Sequence, residues 1–277
     1  MAAGPRGPEG IAPRRPAGRP RRGGAPAAAA AAAAALLALG ASGAAAQEGR
    51  PTPPSLLPGI GAADPRRPVE PAAEPWRALG RVQLEIGGRC TGTLVGPRTV
   101  LTAAHCLVAR RTGRLVRPGS VHFLLGYHQG AWAAHARVAA IRTGPGYDPA
   151  TRRPHGADWA LLTLEEPIAA ADRALPLLLE APRPRTPLML GGYQQDRPEV
   201  LVADAGCRAL GLGRDLAGLP VLLHDCAGTR GASGGPLLAR GPDGRWAVAG
   251  VASSAAPDLA MGAAVPAAAV VAGTAGP

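Results

Sequence analysis

The sequence predicts an all-β protein in two halves. Short apolar runs recur between Gly and Pro residues from about position 76 onward, a pattern typical of antiparallel barrels or sandwiches. The runs form two series: 80–86, 90–95, 99–102, 120–126, 134–143 and 159–165, then 187–192, 199–210, 219–224, 236–238, 246–253 and 260–265. A stretch dense in Pro and charge, 168–186, separates them, and the Ala-rich run 267–272 permits a short closing helix.

The first 46 residues have the organisation of an export signal. An Arg-rich opening precedes an apolar run at 27–39, and the small residues at 44–46 offer an A-x-A cleavage site. The apolar run is too short and too rich in Ala to predict a membrane span. We therefore expect a signal peptide at 1–46 and export to the periplasm or the medium without stable membrane insertion. The pair Arg21 and Arg22 is compatible with a twin-Arg signal, so the sequence does not decide between Sec and Tat export.

Residues 47–75 are rich in Pro, Ala and Arg and show no sustained periodicity. This composition predicts a disordered leader or pro-segment. Ordered structure is expected to begin near Trp76 and to form one domain at 76–277. Its first half is predicted at about 76–170 and its second at about 187–266.

The net charge of +11 does not indicate a nucleic-acid-binding protein. Six Arg and one acid lie in the first 46 residues, which leaves a scattered charge of +6 for the remainder. Eight aromatic residues and no recognition module do not supply stacking platforms for bases. We expect no nucleic-acid partner, no cofactor or metal, and a monomer.

Four cysteines lie beyond the predicted signal: Cys90, Cys106, Cys207 and Cys226. An even number of cysteines in an exported chain predicts two disulfides, and four cysteines allow three pairings. The chain has no C-x-x-C motif and no metal-like spacing of His and Cys, so a zinc site is not predicted.

Three segments supply the parts that acyl transfer by a serine requires. They are Leu-Thr-Ala-Ala-His-Cys at 101–106, Ala-Asp-Trp-Ala-Leu-Leu-Thr-Leu at 157–164, and Gly-Ala-Ser-Gly-Gly-Pro at 231–236. The chemistry needs a hydroxyl beside a general base, a carboxylate that holds the base, and donors aimed at the developing oxyanion. Glycines beside Ser233 permit a sharp turn in which the amides of Gly231 and Ser233 point at one position.

These strings resemble those of chymotrypsin-like serine proteases, and they occur in the same order. The resemblance covers about residues 78–266 and implies the trypsin-like fold of two six-stranded antiparallel β-barrels with a short C-terminal helix. It implies hydrolysis of protein or peptide substrates through an acyl-enzyme, with His105, Asp158 and Ser233 as the catalytic triad. The amides of Gly231 and Ser233 would form the oxyanion hole.

The resemblance also implies the cysteine pairing. In such proteases a cysteine after the catalytic histidine bridges to one about sixteen positions earlier, which is Cys106 to Cys90 here. By exclusion, Cys207 pairs with Cys226.

Ala232 departs from the animal members of the family, in which an aspartate at this position pairs with a newly freed α-amino group. The departure favours the bacterial trypsin-like and glutamyl-endopeptidase-like enzymes as closer relatives. A protease-like protein that binds peptides without turnover is the alternative function.

The substrate pocket implied by the resemblance consists of Ala227, Ala252, Ser253 and Ala255. Ala227 stands at the base of this pocket, so the acid that selects Arg or Lys in trypsin is missing. We expect a small or medium apolar side chain at P1, the substrate residue before the scissile bond. A shifted alignment that used Asp225 would instead favour a basic one.

Overall fold

Fifteen β-strands and one short α-helix make up the regular structure of residues 57–275, the part that this computed structural model describes. The strands are β1 Arg67–Pro68, β2 Leu79–Leu84, β3 Arg89–Gly96, β4 Thr99–Thr102, β5 Val108–Ala109, β6 Arg114–Leu115, β7 Val121–Leu125, β8 Ala134–Thr143, β9 Ala160–Leu164, β10 Pro187–Gln194, β11 Arg197–Arg214, β12 Pro220–His224, β13 Pro236–Arg240, β14 Trp246–Ala255 and β15 Gly262–Pro266, followed by helix α1, Ala267–Thr274. The predicted signal peptide lies outside the described residues. No helix among the described residues is long and apolar enough to cross a membrane.

The first half is a closed antiparallel barrel of six strands in the order β2-β3-β4-β9-β8-β7. Strand β9 shows why these segments form strands: Ala160, Leu162 and Leu164 are buried, and the residues between them are less so. This period of two directs alternate side chains to the barrel interior, where they belong to the same hydrophobic cluster as Phe123. β5 and β6 form a separate small hairpin.

The second half is a seven-stranded antiparallel sheet in the order β1-β11-β10-β13-β14-β15-β12, in which β11 also pairs with β12. The resemblance implies a six-stranded barrel here. The extra strand is β1, whose Arg67 and Pro68 pair with Ala203 and Val202 of β11. Helix α1 closes the chain at the expected place. The fold is therefore chymotrypsin-like and mostly β, with one closed barrel and one larger sheet.

Residues 57–75 correct the expectation that ordered structure begins near Trp76. Besides contributing β1, this segment buries Leu57 and Ile60 against Ala227, in the second half of the chain. The side chain of Arg66 is 0% exposed. The sequence offered no periodic signal here because single anchoring residues, and not a long amphipathic element, attach the segment to the domain.

Candidate active site

His105 and Asp158 lie side by side although 53 positions separate them. His105 is in the 3-10 turn Ala104–Leu107 after β4, and Asp158 follows the turn His155–Ala157 before β9. The last residue of β4 pairs with the first residue of β9, so both turns leave the barrel at the same edge. His105 Nδ1 lies 2.7 Å from Asp158 Oδ2, and the His105 amide donates to Oδ1 at 2.8 Å.

The Asp158 carboxylate orients the imidazole. A carboxylate oxygen accepts hydrogen bonds, so Nδ1 of His105 is the donor and Nε2 is left to take a proton. The Asp158 side chain is 4% exposed, whereas that of His105 is 22% exposed. The acid is therefore buried beneath the base, and the base faces the surface.

Ser253 supplies a third hydrogen bond to Asp158. Its hydroxyl donates to Oδ2 at 2.5 Å from strand β14, in the second half. We expected Ser253 in the substrate pocket, and its contact with Asp158 was not expected from the sequence. The two residues are 95 positions apart, and no local motif marks Ser253 as a partner of the acid.

Ser233 occupies a sharp turn between two glycines with positive φ, Gly231 at 94° and Gly234 at 78°. A Cβ on Gly234 would meet the Ala103 amide at 2.8 Å, and one on Gly231 would meet Gln194 Cα at 3.1 Å. Only glycine fits both the backbone angle and the space. The turn thus places Ser233 against the segment that carries His105.

Ser233 and His105 line one cleft of about 1010 Å³. Among the described residues, the hydroxyl of Ser233 has no hydrogen-bond partner, His105 Nε2 included. Long catalytic contacts are common in unliganded proteases. The amides of Gly231 and Ser233 likewise donate no hydrogen bond within residues 57–275, so both donors are available to an oxyanion.

Thr91 of β3 joins the catalytic turn to the first barrel. Its amide donates to the Ser233 carbonyl at 3.0 Å, and its hydroxyl donates to the Gly231 carbonyl at 2.8 Å. The same hydroxyl accepts from the Tyr193 amide at 2.9 Å. Thr91 is fully buried. Its side chain therefore links the two halves of the domain next to the amides of Gly231 and Ser233.

A buried arginine supports the loop before Ser233. Arg66 Nη1 donates to Gln194 Oε1 at 2.7 Å, and that oxygen also accepts from the Thr229 amide at 2.8 Å. Asp64 and Asp196 flank the guanidinium, each at 2.9 Å. These contacts raise the pKa of Arg66 against the opposing effect of burial, and they lower the pKa of Asp64 against its own desolvation.

Two disulfides join Cys90 to Cys106 and Cys207 to Cys226, the pairs that the resemblance implies. The first fastens the turn that carries His105 to β3. The second fastens β11 to the segment before Ala227. The described residues contain two groups of potential metal ligands, each a disulfide pair with one neighbour. Disulfide sulfurs are not thiolate ligands, so neither group offers a zinc site.

A cavity of about 270 Å³ lies next to Ser233, and we call it the P1 pocket because three residues expected in the substrate pocket line it. They are Ala252, Ser253 and Ala255. Ala227 does not, because it is buried against Leu57 and Ile60. Pro58, from the segment expected to be a leader, lines the pocket in addition.

Asp225 is exposed, and its carboxylate accepts a hydrogen bond from the Arg208 amide. It is not a lining residue of the P1 pocket. His224 is a lining residue that the sequence did not single out as functional. Its Nδ1 accepts from the Cys226 amide at 3.2 Å, its Nε2 is buried without a partner among the described residues, and burial lowers its pKa to about 4.

The fold is chymotrypsin-like, and His105 and Asp158 form a hydrogen-bonded pair at one edge of its first barrel. The sequence model of the family described as Trypsin matches residues 66–214, more than half of the chain. The chain therefore belongs to the trypsin family of serine endopeptidases. The matched residues include His105 and Asp158 and end before Ser233.

Curated relatives are similar over parts of their length. The chain is 36% identical to glutamyl endopeptidase of Bacillus licheniformis over 69 residues, 25% of this chain and 22% of that protein. It is 31% identical to human serine protease 56 over 258 residues, 74% of this chain and 40% of that protein. The chain thus spans less than half the length of these relatives.

A solved structure shows the same fold. The structure of a Glu endopeptidase in complex with MPD superposes with a TM-score of 0.60 and 17% sequence identity. The superposition covers 76% of this chain and 96% of that one.

Proposed function

We propose that this chain is an exported serine endopeptidase that hydrolyses peptide bonds through His105, Asp158 and Ser233. The observation that carries the proposal is the 2.7 Å contact between His105 Nδ1 and Asp158 Oδ2, with His105 and Ser233 lining one cleft. A general base held by a buried acid next to a serine is the arrangement needed for nucleophilic acyl transfer.

In the proposed reaction, His105 Nε2 takes the proton of the Ser233 hydroxyl as its oxygen attacks the peptide carbonyl. The amides of Gly231 and Ser233 stabilise the resulting oxyanion. His105 then gives the proton to the leaving amine, and the carbon–nitrogen bond breaks to leave an acyl-enzyme. Water, deprotonated by His105, hydrolyses this ester and regenerates Ser233.

Asp158 holds the imidazole in the tautomer that this reaction needs and stabilises the imidazolium. Ser253 and the His105 amide hold Asp158 in turn. Thr91 keeps the carbonyls of Gly231 and Ser233 turned away from the cleft, which supports the use of their amides as oxyanion donors.

The P1 pocket favours a small or medium side chain and disfavours a basic one. No Asp or Glu is among its lining residues, which include one exposed cation, Arg230. His224, with its lowered pKa, is neutral near pH 7. Two matched proteins carry names that specify glutamyl or Glu endopeptidases. The walls formed here by Ala252, Ser254 and Ala255 instead favour residues such as Ala or Val at P1.

The proposed function is tested by hydrolysis of denatured casein with wild-type protein and a Ser233→Ala variant. The wild type is expected to cleave and the variant to lose all but residual activity while keeping its fold, since the alanine fits the turn. Ser120→Ala is the control, since Ser120 lies in the turn before β7 and lines neither the cleft nor the P1 pocket. Equal cleavage by wild type and Ser233→Ala would exclude the proposed nucleophile.

A further inference from the structure

The large cleft of about 1010 Å³ carries a concentration of positive charge that the catalytic mechanism does not use. Five arginines line it: Arg89, Arg110, Arg111, Arg152 and Arg230. They come from four separate segments of the chain, and no Asp or Glu is among the lining residues. We call this surface the arginine cleft.

The five arginine side chains are exposed and unneutralised. None of them forms an ion pair or a side-chain hydrogen bond with another of the described residues. Elsewhere on the surface, Arg77, Arg197 and Arg245 pair with acids. The arginine cleft differs because five arginines without an acid partner share one concave surface that has no Asp or Glu among its lining residues. A wall of one charge attracts ligands of the opposite charge.

The position of His105 indicates which part of a substrate enters the arginine cleft. His105 lines this cleft and is not a lining residue of the P1 pocket, whereas Ser233 lines both. The leaving amine must lie next to His105 to receive its proton. The residues that follow the scissile bond therefore extend into the arginine cleft, away from the P1 pocket.

The cleft continues into an adjoining cavity of about 590 Å³ that Arg89, Arg110 and Arg230 also line. Arg81 borders this cavity but is paired with Glu199. The arginines without an acid partner therefore surround the space that the first substrate residues after the scissile bond would occupy. Ile86, which is 62% exposed, adds an apolar surface to the same wall of the arginine cleft.

We propose that the arginine cleft selects peptides with acidic residues at the first two positions after the scissile bond, P1′ and P2′. This substrate preference rests on the proposed endopeptidase function and names its substrate class. Guanidinium groups bind carboxylates through paired hydrogen bonds as well as through charge, so Asp and Glu are the matching side chains.

The test uses the full chain and three fluorogenic peptides that share Ala at P1 and carry Ala-Ala, Asp-Asp or Lys-Lys at P1′ and P2′. We expect kcat/KM to be about fivefold higher for Asp-Asp than for Ala-Ala, and lower still for Lys-Lys, as exposed ion pairs allow. High salt is expected to narrow these differences because it screens exposed charges.

Two double variants sharpen the test. Arg110→Ala/Arg111→Ala is expected to remove most of the preference for Asp-Asp while leaving the rate on Ala-Ala near wild type. Arg114→Ala/Arg117→Ala removes the same charge from exposed positions outside the cleft and is expected to keep the preference.

Equal rates on all three peptides would overturn the proposed preference while leaving the endopeptidase function intact. The absence of hydrolysis of every peptide would instead contradict the endopeptidase function itself. If the peptides were cleaved equally but heparin inhibited the wild type more than Arg110→Ala/Arg111→Ala, the cleft would be a polyanion site and the substrate proposal would be wrong.

Discussion

Arg66 donates a hydrogen bond of 2.7 Å to Oε1 of Gln194, across 128 positions of sequence. The same oxygen accepts from the Thr229 amide, two residues before Gly231. A buried cation therefore supports the loop before Ser233 from a segment that the sequence alone assigned to a leader. Ala232 leaves no acid beside Ser233 to pair with a new N-terminus, so this contact gives the loop a different internal support.

Replacement of Arg66 by Met is expected to weaken both the fold and the catalytic loop. Removing one partner of a buried ion pair costs about 3–5 kcal/mol, since Asp64 and Asp196 would lose their cation. We also expect kcat to fall with little change in KM, because a less ordered loop stabilises the oxyanion less well. Urea unfolding and steady-state kinetics measure the two effects.

Arg197→Met is the control for Arg66, since Arg197 pairs with the same two acids but is 36% exposed. It is expected to cost at most about 1 kcal/mol and to leave kcat unchanged. A stability loss in Arg66→Met with wild-type kcat would restrict Arg66 to a structural role.

The segment 57–75 is expected to be required in the folded enzyme. A chain that begins at Gly49 should fold and cleave, whereas one that begins at Trp76 lacks Arg66, Leu57 and Ile60 and should fail to accumulate as folded protein. Circular dichroism and peptide cleavage compare the two chains. Full activity from the chain that begins at Trp76 would show that the segment is dispensable.

The hydrogen bond from Ser253 to Asp158 predicts a graded effect of substitution. Ser253→Ala removes one of three donors to the carboxylate, so we expect kcat to fall about 10- to 100-fold, as for one hydrogen bond to a charged group. Asp158→Asn disturbs the tautomer of His105 and is expected to cost about 10⁴-fold. Steady-state kinetics measure both effects, with Ser120→Ala as the control outside the cleft and the P1 pocket. An equal loss of kcat in Ser253→Ala and Asp158→Asn would contradict this order.

His224 predicts a loss of stability in mild acid. Its pKa is about 4 in the fold, below the usual histidine value of 6.5, so the unfolded chain binds the proton more tightly. The contribution of His224 is complete above pH 6.5 and declines as the pH falls toward 4, by up to about 3 kcal/mol. We expect His224→Gln to flatten the pH dependence of the unfolding free energy in this range.

The control for His224 is His128→Gln, since His128 is exposed. This variant should keep the wild-type pH profile. A wild-type profile in His224→Gln as well would assign the acid sensitivity to other groups.

Residues of the candidate site could be predicted from the sequence where a short motif marks them. They could not be predicted where their role depends on contacts with residues far away in the sequence. His105 and Ser233 stand in local motifs that must form particular turns, and the strand runs show a period of two. Thr91, Ser253 and Arg66 act through contacts with residues 140, 95 and 128 positions away, respectively. No sequence motif around these three residues indicates the contacts. Strand β1 escaped prediction for a similar reason, since two residues show no period.

Covalent labelling by a fluorophosphonate probe tests whether Ser233 is the nucleophile, because the probe reacts with a serine that a neighbouring base activates. The full chain is expected to be labelled at Ser233, with the site identified by mass spectrometry of the digested protein. Ser233→Ala and His105→Ala are expected to lose the label, and Ser254→Ala to keep it. Absence of label from the folded wild type, or labelling that persists in Ser233→Ala, would contradict the assignment of Ser233 as the nucleophile.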